Sequence, residues 1–277
     1  MTLDKGERPA SRSAVALAAV LGVAWVVGGA VWPAQSASRQ EELGTPVLVE
    51  LFTSEGCSSC PPADALLIRL EAEQPVPGVQ IIGLSEHVDY WNGLGWRDPF
   101  SSVAFTERQE IYRRALGEPA NYTPQMVVDG RTALVGSLEA DARQTIARAA
   151  ASQKAEMRVQ WTGARASDVL TIRIRIASLP ELPDGESAEL WLAVTETGLA
   201  TNVLRGENAR RRLRHTAVAR RLERVERLPA VMARPYETDI AVPLEPSWNR
   251  ELLRVVGFIQ EAASRKVLGA AQLSLIP

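Results

Sequence analysis

Cys57 and Cys60 are the only cysteines among the 277 residues, and together they form one C-x-x-C motif. A secreted protein braced by disulfides would contain several cysteine pairs at larger separations. A bond between these two closes a loop too small to stabilise a domain much. The pair is therefore expected to serve redox chemistry, metal binding or local geometry.

The segments around the motif predict how its thiols are positioned. An apolar run at residues 47–52 is typical of a buried strand, and a loop of small residues follows it. Pro61 and Pro62 fit the first turn of a helix, where a missing N–H costs nothing. A helix amino-terminus stabilises a thiolate, so Cys57 is predicted to attack a disulfide. Cys60, one turn further in, is predicted to resolve the mixed disulfide.

The neighbours of the motif predict a thiol of moderate acidity. Ser58 and Ser59 supply hydroxyls but no positive charge. A helix terminus contributes roughly 0.3–1 kcal/mol, and Glu55 would oppose a thiolate because the two charges have the same sign. The expected thiol is closer to that of a reductase or isomerase than to that of a strong oxidant.

Two domains are predicted behind a leader. Strand and helix patterns alternate over residues 45–154, after a polar linker at residues 37–44. Residues 155–277 instead contain short strands, separated by Gly, Pro and Asn turns, which indicate a β-sandwich.

The leader comprises residues 1–36. Three basic residues precede an unbroken apolar run at residues 14–32, and the small residues Ala34 and Ser36 follow it. This pattern predicts either a cleaved signal peptide or an uncleaved amino-terminal anchor. Both alternatives place the rest of the chain outside the cytoplasm, in the periplasm or secreted.

Residues 45–154 resemble a thioredoxin fold, with the order β-α-β and then α-β-β-α. The resemblance implies that Pro124 is the cis-proline that faces the dithiol and that Thr123 offers backbone groups to a bound peptide. It also implies that Glu50 is a buried acid that relays protons.

Four segments resemble, more narrowly, a family of exported bacterial proteins with a domain of unknown function. They are Phe52–Asp64, His87–Trp91, Gly95–Phe100 and Gly206–Asn208. The resemblance implies an α/β thioredoxin-like domain, followed by a mainly β, sandwich-like carboxyl-terminal domain. It implies no established activity.

Trp91 and Trp96 lie in a loop rich in aromatic and charged residues. Thioredoxin-like folds often carry insertions here, so these two side chains are candidates for a substrate-binding lip beside the dithiol. The alternative is a self-packed loop in which Arg97 binds Asp98 or Asp89.

His87 raises the alternative of a metal site. With Cys57 and Cys60 it would supply three nitrogen and sulfur ligands, enough for copper or zinc. The competing interpretation is a histidine at a strand end, bonded to Asp89 or to backbone. We expect no bound metal and no cofactor, because the sequence has no second C-x-x-C motif.

A net charge of −2 gives the chain no overall field that would attract nucleic acid, and membrane contact is expected only through the leader. Nine arginines between residues 205 and 227 predict charged edge strands or, alternatively, an anionic partner. The leading hypothesis is a thiol–disulfide oxidoreductase acting on protein or small-molecule disulfides. The alternatives are a binding or assembly protein with a structural disulfide and a metal-handling protein.

Overall fold

The computed structural model describes residues 1–2, 44–163, 168–228, 232 and 234–275. The predicted leader and almost all of the predicted linker lie outside these residues, so their assignment stays a prediction. Within the described part of the chain, no helix is both long and apolar enough to cross a membrane.

The described residues form three α-helices and thirteen strands. The helices are α1 (Pro61–Glu73), α2 (Val103–Leu116) and α3 (Glu139–Ala150). The first four strands are β1 (Thr45–Thr53), β2 (Val79–His87), β3 (Gln125–Val128) and β4 (Thr132–Val135). The others are β5 (Glu156–Trp161), β6 (Val169–Ser178), β7 (Ala188–Glu196), β8 (Leu199–Asn202), β9 (Arg212–His215), β10 (Val218–Leu228), β11 (Tyr236–Pro243), β12 (Leu253–Glu261) and β13 (Val267–Ser274).

Local chemistry explains where two of the helices begin. Helix α1 has prolines at its first two positions and starts directly after Cys60. The hydroxyl of Ser102 accepts a hydrogen bond from the backbone N–H of Ala104 and caps α2. Both starts agree with the sequence.

The predicted fold class is wrong, because one mixed sheet runs through both predicted domains. Its eight strands follow the order β13-β12-β7-β10-β2-β1-β3-β4. Strands contain 42% of the described residues and helices 19%, so the protein is mostly β. It is not a thioredoxin-like α/β domain followed by a separate β domain. The predicted boundary between residues 154 and 155 stays a prediction, although strands from both sides of it share this sheet.

Strand β10 joins the two predicted domains into one sheet, because it lies between β7 and β2. Its arginines predicted an edge strand, but it pairs antiparallel with β7 and, at Val218 and Ser85, parallel with β2. The arginines are compatible with this interior position because acidic side chains lie beside them. Arg224, for example, donates a 2.8 Å hydrogen bond to the buried carboxylate of Glu189.

Two further layers cover the large sheet. The three-stranded sheet β11-β6-β5 packs against β7, β12 and β13, burying Ile172 and Ile174 against Leu192. Helices α1 and α3 cover one face of β1, where Val49 and Leu51 pack. Since side chains alternate along a strand, Glu50 lies on the opposite face, toward α2.

The fold brings several chain segments to the carboxyl ends of the parallel pair β1 and β2. The C-x-x-C loop leaves β1 at Thr53, and the loop that precedes α2 leaves β2 at His87. The hairpin of β8 and β9 also reaches this edge, because Asn208 contacts the C-x-x-C loop. Ligand sites of sheets with parallel strands commonly lie at this edge.

Candidate functional site

Cys57 and Cys60 form a disulfide at the amino-terminus of α1. Both cysteines have 0% of their surface exposed, whereas Ser58 and Ser59 between them are exposed. The motif therefore presents its two serines to solvent and holds its sulfur atoms beneath the surface.

A cis peptide bond between Thr123 and Pro124 lies opposite the disulfide. The carbonyl oxygen of Thr123 is 3.9 Å from the Sγ of Cys57. The hydroxyl of Ser59 lies between them, 3.3 Å from that sulfur and 3.5 Å from that oxygen. The structure thus brings together the cysteines, Thr123 and Pro124.

Both tryptophans of the predicted lip contact this site. The indole N–H of Trp91 donates a 2.9 Å hydrogen bond to the hydroxyl of Thr123, and Trp91 packs against Gly56. The indole N–H of Trp96 donates a 2.8 Å hydrogen bond to Glu55. The loop also contacts itself, because the backbone N–H of Phe100 donates a hydrogen bond to Asp98 within it.

A loop from the carboxyl-terminal half covers the motif. We call residues 203–211, between β8 and β9, the strap. Its Asn208 donates two 2.9 Å hydrogen bonds, to the carbonyl oxygens of Glu55 and Cys57. Its Glu207 accepts a 3.0 Å hydrogen bond from the backbone N–H of Ser58. Hydrogen bonds from Ser58 hold the pKa of Glu207 below its usual value.

Glu55 does not face the dithiol as an isolated charge, contrary to the sequence-based expectation. Its carboxylate lies 3.1 Å from the Nε2 of His215, and both side chains are fully buried. The Nδ1 of the same ring lies 3.9 Å from a carboxylate oxygen of Asp64, in the first turn of α1. When protonated, the His215 ring is a cation between two carboxylates. Its positive charge offsets the repulsion expected between Glu55 and a thiolate of Cys57.

The second histidine completes the same cluster. The rings of His87 and His215 pack edge to face, with centroids 4.8 Å apart. The Nδ1 of His87 donates a 2.7 Å hydrogen bond to Asp98, which also accepts from the backbone N–H of Glu55. The partner of His87 is thus Asp98 and not Asp89 or a backbone group.

This packing shifts the pKa values of His215 and Asp98. Burial lowers the pKa of His215, but the neighbouring carboxylates of Asp64 and Glu55 outweigh it and raise the pKa to about 9. Burial raises the pKa of Asp98, but the His87 ring and two backbone N–H groups outweigh it and hold the pKa below its usual value. At neutral pH the cluster therefore contains the His215 imidazolium and the Asp98 carboxylate.

Glu50 is remote from this cluster. It lies on the face of β1 opposite α1, where Arg108 donates a 2.6 Å hydrogen bond to it and the Tyr112 hydroxyl donates another. These contacts indicate a structural ion pair and give no support to a proton relay between Glu50 and Cys60.

The geometry does not favour the metal alternative for His87. Each cysteine sulfur is bonded to the other, and the Nδ1 of His87 is used by Asp98. Among the described residues, no group of three or more His, Cys, Asp or Glu side chains has an arrangement that could hold a metal ion.

His215, Asp64 and the two strap residues Glu207 and Asn208 were not predicted as site residues. Distance along the chain hid three of them, since Asn208 lies 151 residues from Cys57, whereas Asp64 follows Cys60 by only four residues. Two sequence signals did point to them: the chain has only two histidines, and Gly206–Asn208 is one of the family-like segments.

Two solved structures are similar to this chain. One is a crystal structure of a protein from Agrobacterium tumefaciens, with 28% identity, a TM-score of 0.61, and coverage of 83% of this chain and 94% of the other. The second is HBP35 of Porphyromonas gingivalis, with 15% identity, a TM-score of 0.59, and coverage of 84% and 76%. The second similarity concerns the fold alone.

No curated protein matches the sequence. The family model described as a protein of unknown function, DUF1223, matches residues 48–260. This match spans more than half of the chain and confirms the predicted family of unknown function. The chain belongs to the DUF1223 family.

Proposed function

We propose that the protein is an exported thiol–disulfide oxidoreductase whose working group is the Cys57–Cys60 pair. The observation that carries the proposal is the disulfide at the start of α1, with the Thr123 carbonyl 3.9 Å from Cys57. The local arrangement of strand, loop, C-x-x-C, helix and facing cis-proline resembles that of thioredoxins. Export rests on the basic and apolar pattern of residues 1–36.

The reaction exchanges two electrons between two dithiol–disulfide pairs. In the reductive direction, the Cys57 thiolate attacks one sulfur of a substrate disulfide, and the other substrate sulfur leaves as a thiolate. The Cys60 thiolate then attacks the Sγ of Cys57, which releases the second substrate thiolate and forms the Cys57–Cys60 disulfide. A thiol donor must reduce this disulfide again before the next cycle. The oxidative direction runs through the same mixed disulfide in reverse.

A second function is favoured by the burial of the pair. Because both cysteines are 0% exposed and the strap binds the motif, the disulfide is also suited to a structural role in a binding or assembly protein. A measured reduction potential separates the two functions. A value below about −300 mV would indicate a structural bond, whereas a value between about −120 and −270 mV is typical of exchange enzymes.

Trapping with the Cys60→Ala variant tests the proposal directly. This variant keeps the attacking thiol but cannot release a mixed disulfide, so we expect disulfide-linked adducts on Cys57 after incubation with an envelope extract. The Cys57→Ala variant is the matched control, because it keeps one cysteine of the motif and lacks the attacking one. Equal adduct yields from both variants, or none from either, would contradict the enzyme hypothesis.

A further inference from the structure

The two histidines of the chain are neighbours in space although 128 positions separate them in sequence. Both are buried, and their rings touch at the carboxyl ends of β1 and β2. A chance encounter of the only two imidazoles in 277 residues, against residues that flank the only two cysteines in the chain, would be unusual. Buried imidazoles beside carboxylates are typical of functional sites because their protonation changes near neutral pH.

The cluster contacts the chain on both sides of the dithiol. Glu55, which faces His215, lies two residues before Cys57. Asp64, on the other side of the His215 ring, follows Cys60 by one turn of α1. Residues four apart in a helix lie on the same face, with their Cβ atoms roughly 5–6 Å apart. His215 therefore contacts one residue on each side of the dithiol, and the backbone N–H of one of them, Asp64, donates a hydrogen bond to the carbonyl of Cys60.

Several polar atoms of the cluster have no hydrogen-bond partner among the described residues. They are Nδ1 of His215, Nε2 of His87 and Oδ2 of Asp64. Buried polar atoms are normally paired, and exceptions call for an explanation. An imidazole and a carboxylate with free positions can respond when a sulfur next to them gains or loses a negative charge.

The groups that face His215 come from four elements. They are Glu55 of the C-x-x-C loop, Asp64 of α1, His87 of β2 and Phe100 of the loop before α2. Behind this first set, Asp98 is hydrogen-bonded to His87, and the guanidinium of Arg220 in β10 lies over the Phe100 ring. Two carboxylates thus lie directly against one imidazolium.

We propose that His215, held between Glu55 and Asp64, is a positioning residue that sets the reactivity of the reduced Cys57–Cys60 pair. This inference rests on the proposed function, because it concerns the reduced state in which that function would use the thiols. The imidazolium offsets the negative charge of the two carboxylates and so favours a thiolate beside them. Without it, Glu55 and Asp64 would repel the thiolate.

The charge argument predicts opposite effects for two variants. His215→Gln removes the cation and should raise the midpoint of the thiolate titration by about one pH unit. Glu55→Gln removes one of the carboxylates but leaves His215 beside Asp64, and should lower that midpoint. A purely structural role would move both midpoints in the same direction, toward that of an unfolded thiol.

The experiment measures the rate of alkylation of Cys57 by iodoacetamide between pH 5 and 10, in the reduced full-length protein with Cys60→Ala as background. Glu107→Gln is the matched control, since Glu107 is an exposed carboxylate of α2 outside the cluster. Its midpoint should equal that of the parent. If His215→Gln does not fold, His215→Asn takes its place: a midpoint above that of the parent supports the proposal, and an equal or lower one overturns it.

The outcome is separable from that of the proposed function. Alkylation needs no substrate, so the two midpoints can shift in opposite directions even if trapping finds no partner. In that case the proposed function fails, but the effect of His215 on the reactivity of Cys57, its tuning of the thiol, stands. If partners are trapped but the midpoints do not move, the tuning fails and the oxidoreductase proposal stands.

Discussion

At the scale of single residues, His215 links the chemistry of the site to the stability of the protein. Its imidazolium is buried between two carboxylates, and the favourable contacts outweigh the cost of burying the charge. Because the protonated form is preferred in the folded state, the folded protein binds a proton more tightly than the unfolded chain does. The pKa is about 9 when folded and roughly 6.5 when unfolded.

This difference predicts a pH-dependent stability. The contribution of His215 is fully present below about pH 6.5 and is lost as the pH rises through 9. Urea unfolding of the wild type at several pH values should therefore show a fall in the unfolding free energy above pH 7. The fall should exceed that of His215→Gln by up to roughly 3 kcal/mol. Parallel curves for the two proteins would show that the folded state does not hold this proton.

At the scale of elements, the β8–β9 hairpin is the part that completes the site. Its strap supplies Asn208 and Glu207, and its second strand ends at His215. The orientation of Asn208 is itself fixed, because Arg211 donates a 2.7 Å hydrogen bond to its amide oxygen. One hairpin therefore both binds the backbone of the C-x-x-C loop and supplies the imidazole that contacts Glu55.

Loosening the strap should expose the disulfide. Asn208→Ala removes two buried hydrogen bonds to the C-x-x-C loop, worth roughly 0.5–1.5 kcal/mol each. The Cys57–Cys60 bond should then be reduced by dithiothreitol about tenfold faster than in the wild type, as measured by thiol labelling over time. Glu107→Ala, remote from the strap, should leave this rate unchanged. An unchanged rate in Asn208→Ala would mean that the strap does not limit access.

Most individual elements could be predicted from the sequence, but their assembly could not. The apolar run at residues 47–52 and the prolines Pro61 and Pro62 located β1 and α1, because these signals are local. Strand β10 was missed as an interior strand because its arginines suggested exposure, whereas their acidic partners are distant in sequence.

In the candidate site, too, some residues could be predicted from the sequence and others could not. Cys57, Cys60, Thr123 and Pro124 were identified because they occur in a recognisable order along the chain. His215 could not be placed, since its position depends on a hairpin that follows the predicted domain boundary by more than forty residues. The proton-relay role of Glu50 was implied by the resemblance to thioredoxins. Its contact with Arg108 of α2 depends on the face of β1 on which Glu50 lies, and the sequence alone did not show that contact.

At the scale of the whole molecule, a buried polar network ties the two halves together. Arg108 of α2 binds Glu50 of β1 and lies 3.5 Å from Glu86 of β2. Gln260 of β12 donates a 2.8 Å hydrogen bond to the hydroxyl of Tyr112. Burial, and then the nearby Glu50, raise the pKa of Glu86 well above its usual value. One guanidinium thus compensates charge in β1 and β2, and the neutral amide of Gln260 connects this network to β12.

Removing this guanidinium should destabilise the entire fold. Arg108→Met leaves the Glu50 carboxylate buried without its partner, which costs about 3–5 kcal/mol. We expect urea unfolding, followed by circular dichroism and by tryptophan fluorescence, to shift to lower urea with both probes together. The loss should be smaller at pH 5 than at pH 8, because the raised pKa of Glu86 favours its neutral form at the lower pH.

Arg114→Met in the same helix is the control for this substitution. Arg114 forms an exposed ion pair with Glu110, and such pairs contribute roughly 0–1 kcal/mol. A loss of similar size in both variants would contradict a special role for Arg108.

The pairing of the two histidines also makes the protein its own spectroscopic probe. A sample labelled with nitrogen-15 only in histidine has just two imidazoles to report, and the ring of His215 contacts Glu55, two residues before Cys57, while His87 packs against that ring. Reduction of the disulfide would change the electric field at both rings at once, and the chemical shifts of their ring nitrogens distinguish tautomer and charge. The redox state of the cysteines could thus be followed in the intact protein, with no added reporter group, through signals from residues that never touch solvent.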